Sequence, residues 1–326
     1  MSLKIENLTS SSEGGLSLTG TLQPTEPFSF KRSLTSLRES GATDLNDSFG
    51  PEDKWLERPV HLNGHSFLLR LTDLALEAEA PRLELVLLAE DDVETAPTRA
   101  DFEAAAEWAN RRFWLDIDML AVRDVLMVDE YGEELVTRYW PARPTNLPGP
   151  WEGLLKTVIG NQIYPGLAIR LLQTLLDTYG QKVQFQGKVS HLYPTPERLA
   201  NVLPENLLGL RFSRQKARYL PGIVQAVLEH PDRYNWEHMR SLPAEKAVAA
   251  LDELSGVGPW TAHYVAMRGL PHLDIFVDEE GLHKTLAAAY SRRASLSSDE
   301  TAKLMKVYSP YRSFACYYTY MRMYAV

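Results

Sequence analysis

Hydrophobic and polar residues alternate in the first part of the chain, which is typical of strands with one buried face. Strands are predicted in this way at three places, over residues 16–22, 59–71 and 85–88. The second stretch is interrupted by Asn63 and Gly64, a pair that supplies the positive backbone angles of a tight hairpin. Helical spacing occurs over residues 29–40 and 101–114. We therefore expect an antiparallel sheet with helices, forming a mixed α/β accessory domain over residues 1–145.

A proline-rich stretch over residues 137–150 predicts a domain boundary. Beyond it, hydrophobic residues recur with the three- and four-residue spacing of helices. Helices are predicted over residues 151–163, 166–180, 213–230, 243–256, 259–269 and 310–324. Another helix is predicted to begin at Pro196, with Thr195 as its cap. The predicted fold class is α+β, in which the sheet domain precedes a mainly α-helical region over residues 146–326.

The connection between two of these helices has the composition of an anion-binding turn. It contains Gly256 and Gly258, and the helix after it opens with Pro259 and Trp260. Glycines keep side chains away from the surface, and the free amides and dipole of a helix start favour an anion such as a phosphate. The amides around Trp260 and Thr261 would face that anion. The alternative is a plain connector between two helices.

Three consecutive acidic residues follow this pair of helices, namely Asp278, Glu279 and Glu280. A carboxylate there is suited to chemistry, because it can stabilise positive charge that develops in a transition state. The alternative is structural. Acidic residues favour helix starts, and Asp278 is a suitable cap for a helix that runs through Leu282 and Leu286.

Composition limits the class of protein. At 326 residues, with 44% hydrophobic and 24% charged residues, the chain is expected to form two or three domains of an ordinary globular protein. It has no apolar run typical of a signal peptide or a membrane span, so an intracellular, bacterial-type cytoplasmic setting is expected. The single Cys316 excludes an intrachain disulfide and any site that needs four cysteines.

The net charge of −9 argues against a nucleic-acid partner when the chain is taken as a whole. The charge is unevenly distributed, however. Residues 146–326 carry 20 Lys and Arg against 16 Asp and Glu, whereas residues 1–145 carry 14 against 27. The helical region is therefore compatible with a surface that faces phosphates.

Four stretches of sequence resemble the helix-hairpin-helix superfamily of DNA glycosylases, and within it the bacterial 3-methyladenine DNA glycosylase II type. They are LPGPWEGLLKTVIGNQI, RFSRQKARYLPGIV, LSGVGPWTAHYVAMRGLPHLDIF and PYRSFACYYTY. The resemblance covers most of the chain and implies a glycosylase region in two halves, with the helix-hairpin-helix at about 244–269. The implied partner is double-stranded DNA with a damaged base, bound by a monomer without membrane association.

The resemblance also implies roles for particular residues. The family flips a damaged base out of the duplex and fills the gap with a plug, which falls on Gln162 and Ile163. Ile163 equally fits a core position. Trp260 and Tyr320 fall in an aromatic pocket that favours a positively charged alkylated purine, although the family has tryptophan where Tyr320 stands, which leaves the lesion range open. Arg312, in a P-x-R-S pattern, is implied to support the carboxylate or the pocket; a helix-start ion pair is the alternative.

The family uses an aspartate at a helix start to stabilise the sugar cation while water attacks. Counted from Trp260 without a gap, that position falls on Glu280, and with a gap of two residues it falls on Asp278. We expect Glu280 to be the catalytic acid, with Asp278 next and Glu279 third. A glutamate there departs from the family pattern, because its extra methylene displaces the charge by about 1 Å.

Two absences define the implied reaction. Members that also cleave the sugar use a lysine just after the hairpin, where this chain has Trp260, which cannot form a Schiff base. The iron–sulfur branch needs cysteines that this chain lacks. We therefore expect monofunctional hydrolysis of the N-glycosidic bond of alkylated purines, which leaves an abasic site and needs no cofactor. A structural cation at the hairpin carbonyls is left open.

Two other functions are compatible with the same motifs. One is a catalytically silent lesion-binding or architectural DNA protein that kept the hairpin after losing the aspartate. The other is a glycosylase for oxidised or deaminated bases, with the same fold and a different pocket.

Overall fold

The chain forms two structural units, and each contains more than one stretch of sequence. The computed structural model describes residues 3–39, 43–75, 77–290 and 294–324. The first unit contains the residues up to Thr145, Lys182–Leu192 and the residues from Val307, and the second contains Asn146–Gln181 and Tyr193–Lys306. The predicted boundary after residue 145 coincides with the first change of unit. Residues 182–192 and 307–326, which we assigned to the helical region, belong to the first unit.

In the described residues, the first unit is built on a six-stranded sheet. Its strands are β1 (Lys4–Ser11), β2 (Ser17–Gln23), β3 (Ser48–Phe49), β4 (Trp55–Leu62), β5 (His65–Asp73) and β6 (Leu83–Ala89). Neighbouring strands are antiparallel, and their spatial order is β1-β2-β6-β5-β4-β3. Asn63 and Gly64 have φ of 51° and 85° between β4 and β5, which confirms the predicted hairpin. The strands β1 and β3 were not predicted.

Helices make up most of the remaining described chain. The first unit contains α1 (Phe30–Glu39), α2 (Arg99–Phe113), α3 (Met119–Leu126) and α4 (Glu130–Tyr139). The second contains α5 (Pro150–Gly160), α6 (Pro165–Tyr179), α7 (Pro196–Leu199), α8 (Pro204–Gly209), α9 (Arg214–Glu229), α10 (Trp236–Ser241), α11 (Ala244–Asp252), α12 (Pro259–Arg268), α13 (Glu280–Tyr290) and α14 (Ser298–Met305). The last helix, α15 (Arg312–Tyr324), belongs to the first unit. These elements confirm the α+β class, and none of the described helices is long and apolar enough to cross a membrane.

Helix boundaries follow the local sequence in most places. α7 begins at Pro196, and the Thr195 hydroxyl accepts a hydrogen bond from the Arg198 amide at 3.4 Å, which confirms the predicted cap. α5 is shorter than predicted, because it ends at Gly160 rather than at residue 163. The backbone leaves the helix at Asn161, whose ψ is 135°, and the φ of 58° at Gln162 also cannot continue a right-handed helix.

A two-stranded sheet interrupts the predicted helical region. Its strands are β7 (Gln181–Phe185) and β8 (Lys188–Leu192). The amides of Gln186 and Gly187 in their turn donate to the carboxylate of Asp91 at 2.6 and 2.8 Å. Buried side chains of this hairpin also pack with Leu88 of β6. These contacts explain why the segment belongs to the first unit.

Tyrosines anchor α15 within the first unit. The Tyr318 hydroxyl donates to the carbonyl of Ala142 at 2.7 Å, and the Tyr131 hydroxyl of α4 donates to Thr319 at 3.1 Å. A buried hydroxyl without such a partner would cost free energy. The hydroxyls of Tyr318 and Thr319 on this helix therefore have hydrogen-bond partners inside a folded core.

Buried charges connect the sheet of the first unit to α2. Arg58 of β4 and Arg112 of α2 both bind Asp47, at 2.8 and 2.7 Å. The Asp47 side chain has no exposed surface, and each arginine side chain is 1% exposed. Because water does not reach these groups, each charge depends on its partners for stabilisation.

We expect Asp47→Asn to lower the free energy of unfolding by about 3 kcal/mol or more, since two buried guanidinium groups would lose their shared carboxylate. Urea unfolding of variant and wild type measures the difference. The matched control is Glu103→Gln, because Glu103 binds Arg99 at 2.8 Å with side chains 52% and 74% exposed. That control should change the free energy by less than about 1 kcal/mol. Equal losses in the two variants would contradict the proposed role of burial.

Candidate functional site

A cleft of about 760 Å³ lies in the second unit. Three stretches of chain line it: the end of α5 with the loop after it, the start of α9, and the turn between α11 and α12. The cleft brings together a set of predicted site residues: Gln162, Ile163, Gly256, Gly258, Trp260 and Thr261. Residues that sequence reasoning missed also line it, among them Asn161, Lys216 and Tyr219.

The two glycines of the turn have different physical roles. Gly256 has φ of 76°, and a Cβ atom there would lie 2.2 Å from the ring of Tyr219. It is therefore required both by its backbone angle and by close packing. Gly258 has an extended backbone with φ of −102°, and a Cβ atom there would meet nothing within 4 Å. Its missing side chain instead leaves open space in the cleft.

The start of α12 is exposed to this open space. Gly258 is its N-cap and Pro259 its first residue, and no side chain caps it. The amides of Trp260 and Thr261 lie in the first turn, where a helix offers no carbonyl partners. These amides and the helix dipole make this end of the cleft favourable for an anion.

The loop after α5, residues 161–163, lies at another wall of the cleft. Gln162 is exposed and Ile163 is half-buried, and both line the cleft. The side-chain amide of Asn161 donates to the Thr261 hydroxyl at 2.8 Å. The predicted plug residues are thus linked through Asn161 to the first turn of α12.

A buried lysine of α9 holds the same loop. Lys216 is 7% exposed, and its ammonium donates to the carbonyls of Val158 at 3.2 Å and Asn161 at 2.7 Å. Burial lowers the pKa of this amine below its usual value. The sequence carried a signal that we missed, because Lys216 occupies an otherwise hydrophobic position on the face that includes Leu220 and Ile223.

Trp260 is fixed on two sides. Its ring stacks on Tyr264 with centroids 5.1 Å apart and planes 10° apart. Its indole N–H donates to the carboxylate of Glu279 at 2.7 Å. The residue is nevertheless 37% exposed, so it presents indole surface to the cleft.

The three acidic residues have three different surroundings. Glu280 is the first residue of α13, and its side chain is 76% exposed and pairs with Lys284 at 2.6 Å. Asp278 binds the imidazole of His283 at 2.6 Å, with its side chain 42% exposed. Glu279 is bound by Trp260 and is the acid in contact with a residue that lines the cleft.

The pKa of Asp278 lies below its usual value. Burial alone would raise it, but hydrogen bonds from His283 and Ser298, together with nearby imidazole charge, outweigh burial. The pKa of Glu280 is also lowered, chiefly by its hydrogen bond and ion pair with Lys284. Both groups are therefore carboxylates at neutral pH.

Two predicted site residues lie on α15, in the first unit. Tyr320 is 7% exposed, and Arg312 is half-buried at the start of that helix. Neither lines the cleft of the second unit. Their roles in a base pocket stay predictions.

The charge around the cleft differs from that of the whole chain. The lining residues, all in the described part of the chain, include Lys216 and no acidic side chain. Arg211, Arg214 and Arg218 are exposed on the turn before α9 and on its first half. A chain with a net charge of −9 thus has cationic groups beside an anion-favouring helix start.

Comparison with known proteins finds similarity to DNA glycosylases named for different damaged bases, 3-methyladenine among the sequence relatives and also 8-oxoguanine among the solved structures. A scan against protein-family models finds no match. A DNA-3-methyladenine glycosylase from Bacillus subtilis (strain 168) is 24% identical over 223 residues, 68% of this chain and 73% of that protein. DNA-3-methyladenine glycosylase 2 from Escherichia coli (strain K12) is 27% identical over 189 residues, 55% of this chain and 61% of that protein. A solved 3-methyladenine DNA-glycosylase from Archaeoglobus fulgidus superposes with a TM-score of 0.75 at 17% identity, covering 93% of this chain and 98% of that one.

In fold and in sequence the chain is similar to DNA glycosylases of the helix-hairpin-helix superfamily. This confirms the resemblance carried by the four sequence stretches. The two bacterial relatives, at 24% and 27% identity, are both named 3-methyladenine glycosylases.

Gly256→Ala should lower the free energy of unfolding by about 1–3 kcal/mol, because it places a Cβ atom in a left-handed backbone and against Tyr219. Gly258→Ala should cost less than about 1 kcal/mol, since it changes only an N-cap with open space around it. Urea or thermal unfolding of the two variants tests this contrast. If Gly256→Ala were as stable as the wild type, the described turn geometry would be wrong.

Proposed function

We propose that this protein is a monofunctional DNA glycosylase that hydrolyses the N-glycosidic bond of alkylated purines in double-stranded DNA. The observation that carries the proposal is the cleft. It brings together a helix start whose N-cap is a glycine, a loop with the predicted plug residues and an exposed indole. Similarity to 3-methyladenine glycosylases supports the choice of alkylated bases as substrates.

The turn and helix start would hold the DNA backbone. A phosphate can approach the amides of Trp260 and Thr261 because Gly258 presents no side chain. Exposed Arg214 and Arg218 would contact further phosphates. Binding that depends on such contacts should weaken steeply with salt, because counterions are released from the DNA.

The loop after α5 would replace the flipped base. Gln162 is exposed, and its positive φ turns the chain sharply at the edge of the cleft. Asn161 and Lys216 hold the loop from behind, so inserting it into the base stack would not require the loop to become ordered first. A preformed plug lowers the cost of opening the duplex.

We assign the reacting carboxylate to Asp278. Bond cleavage moves the electrons of the C1′–N bond onto the base and leaves positive charge on the sugar, which an ionised carboxylate stabilises. Water then adds its oxygen to C1′ and loses a proton. Asp278 is ionised, and His283 fixes its orientation.

Glu280 is the alternative acid, because it is the ungapped match to the family aspartate. Its carboxylate is more exposed than that of Asp278 and is paired with Lys284. Water weakens the field of an exposed carboxylate. The smaller exposed fraction of the Asp278 side chain, 42% against 76% for Glu280, favours Asp278 as the first residue to test.

The reaction would stop at the abasic site. Trp260 stands where a Schiff-base lysine would be needed, so no amine follows the hairpin. In the described residues, no group of three or more His, Cys, Asp or Glu side chains could hold a metal ion. The carbonyls of Leu251 and Leu254 in the hairpin accept amides within the turn.

Base release tests the enzyme and assigns its acid. Duplex DNA methylated at purines is incubated with wild type, Asp278→Asn and Glu280→Gln, and the free base is measured. We expect release by the wild type and a loss of about 100-fold in Asp278→Asn. Glu229→Gln is the control, because Glu229 is an exposed glutamate at the far end of α9, bound by Gln225 at 2.8 Å.

Other outcomes of this assay select the alternatives. A large loss in Glu280→Gln alone would assign the acid to Glu280. Tight binding of methylated DNA without base release by the wild type would indicate the catalytically silent lesion-binding protein. Release of oxidised or deaminated bases, and not of alkylated ones, would assign a glycosylase of different lesion range.

Gly258→Leu should weaken binding to duplex DNA by about tenfold or more, regardless of lesion, because its side chain would fill the space that a phosphate needs. Gly149→Leu is a matched control. Gly149 is also an uncapped N-cap followed by proline, at the start of α5, and a Cβ atom there would also meet nothing within 4 Å. The two variants should lose similar stability, so unfolding measurements separate folding from binding. Equal affinities of the two variants for DNA would remove the hairpin from the interface.

A further inference from the structure

Glu279 makes a contact that none of the roles above uses. Its carboxylate accepts the indole N–H of Trp260 at 2.7 Å, whereas the neighbouring acids are bound by His283 and Lys284. The described partner of Glu279 is thus a neutral donor. A negative charge is fixed at the edge of an aromatic ring that lines the cleft.

One face of the Trp260 ring is also held in place. Tyr264 covers one face of the Trp260 indole, with planes 10° apart. The Tyr264 hydroxyl accepts a hydrogen bond from buried Arg268 at 3.1 Å. Because Trp260 is still 37% exposed, a planar ligand would stack on the indole face opposite Tyr264.

An indole held in this way discriminates by charge. The face of an aromatic ring attracts a cation, and a carboxylate at the ring edge adds a second attraction over a short distance. A neutral base of the same shape gains stacking and dispersion but neither of these charge terms. The difference should grow as the site is closed from water.

We propose that Glu279 is a specificity-determining residue, which acts through Trp260 to favour positively charged alkylated bases over neutral damaged bases. This inference rests on the proposed function, because it assumes that the flipped base stacks on Trp260. It assigns Glu279 a positioning and electrostatic role, distinct from the carboxylate that faces the sugar.

The test compares two lesions of opposite type in the same duplex sequence. One is 7-methylguanine, which carries a positive charge, and the other is hypoxanthine, which is neutral. We expect Glu279→Gln, which keeps the size and an acceptor atom, to lower the ratio of the two release rates by about tenfold. The rate for hypoxanthine should be nearly unchanged, and Glu229→Gln should leave the ratio as in the wild type.

A second variant tests whether the effect runs through the indole. Trp260→Phe keeps an aromatic ring but removes the N–H group that binds Glu279. Adding Glu279→Gln to Trp260→Phe should change the ratio less than it does in the wild type, because the two residues would no longer be joined.

Equal losses of both release rates in Glu279→Gln would overturn the inference, since a structural or catalytic role moves both alike. An unchanged ratio would also overturn it. If the wild type releases neither base, the proposed function fails. The inference about Glu279 is then tested separately, by measuring nucleoside binding in equilibrium dialysis. Cationic 7-methylguanosine at mildly acidic pH should bind more tightly than guanosine, and Glu279→Gln should remove that preference; equal binding by the wild type would contradict it.

Discussion

The cleft depends on one buried amine. Lys216 donates to the carbonyls of Val158 and Asn161, at the end of α5, where a helix leaves carbonyls without internal partners. Its positive charge also suits the negative end of the helix dipole. The loop after α5 therefore begins at a fixed place, and Asn161 links it to Thr261 at the start of α12. Segments separated by about a hundred residues are held as walls of one site by a few hydrogen bonds.

This arrangement would let a protein of net negative charge offer a site for a polyanion such as DNA, as the proposed function requires. Affinity for a polyanion depends on the local field and not on the net charge, provided that the cationic groups are concentrated. Here the exposed helix start and Lys216 line one cleft, and exposed arginines lie on the turn before α9 and on its first half. The excess of acidic residues lies in residues 1–145. Some of these acidic residues form ion pairs, on the surface as at Glu103 or inside the unit as at Asp47.

Three adjacent carboxylates have three different partners. Asp278 binds the imidazole of His283, Glu279 binds the indole of Trp260, and Glu280 binds Lys284 at the surface. At the start of a helix, successive residues leave the chain in different directions, so neighbours in sequence meet different surroundings. Counting along the sequence places the family aspartate at Glu280, whereas the lower exposure of Asp278 supports our proposal that it is the acid. The contact of Glu279 with Trp260 supports a separate proposed role for that residue.

The sequence by itself determined most of the local elements and the turn that joins α11 to α12. Periodicity predicted four of the six sheet strands and most helices, and the pair Asn63-Gly64 predicted a hairpin. The glycines beside Trp260 predicted the tight turn before α12. Each of these features depends on residues close in the chain. Only the tertiary structure decided the membership of β7, β8 and α15 in the first unit, the early end of α5 and the partners of the three acids. Those features depend on contacts between residues far apart in the sequence, such as Gln186 with Asp91 and Lys216 with Val158. The spacing of hydrophobic and polar residues within one segment does not reveal which distant residues it contacts.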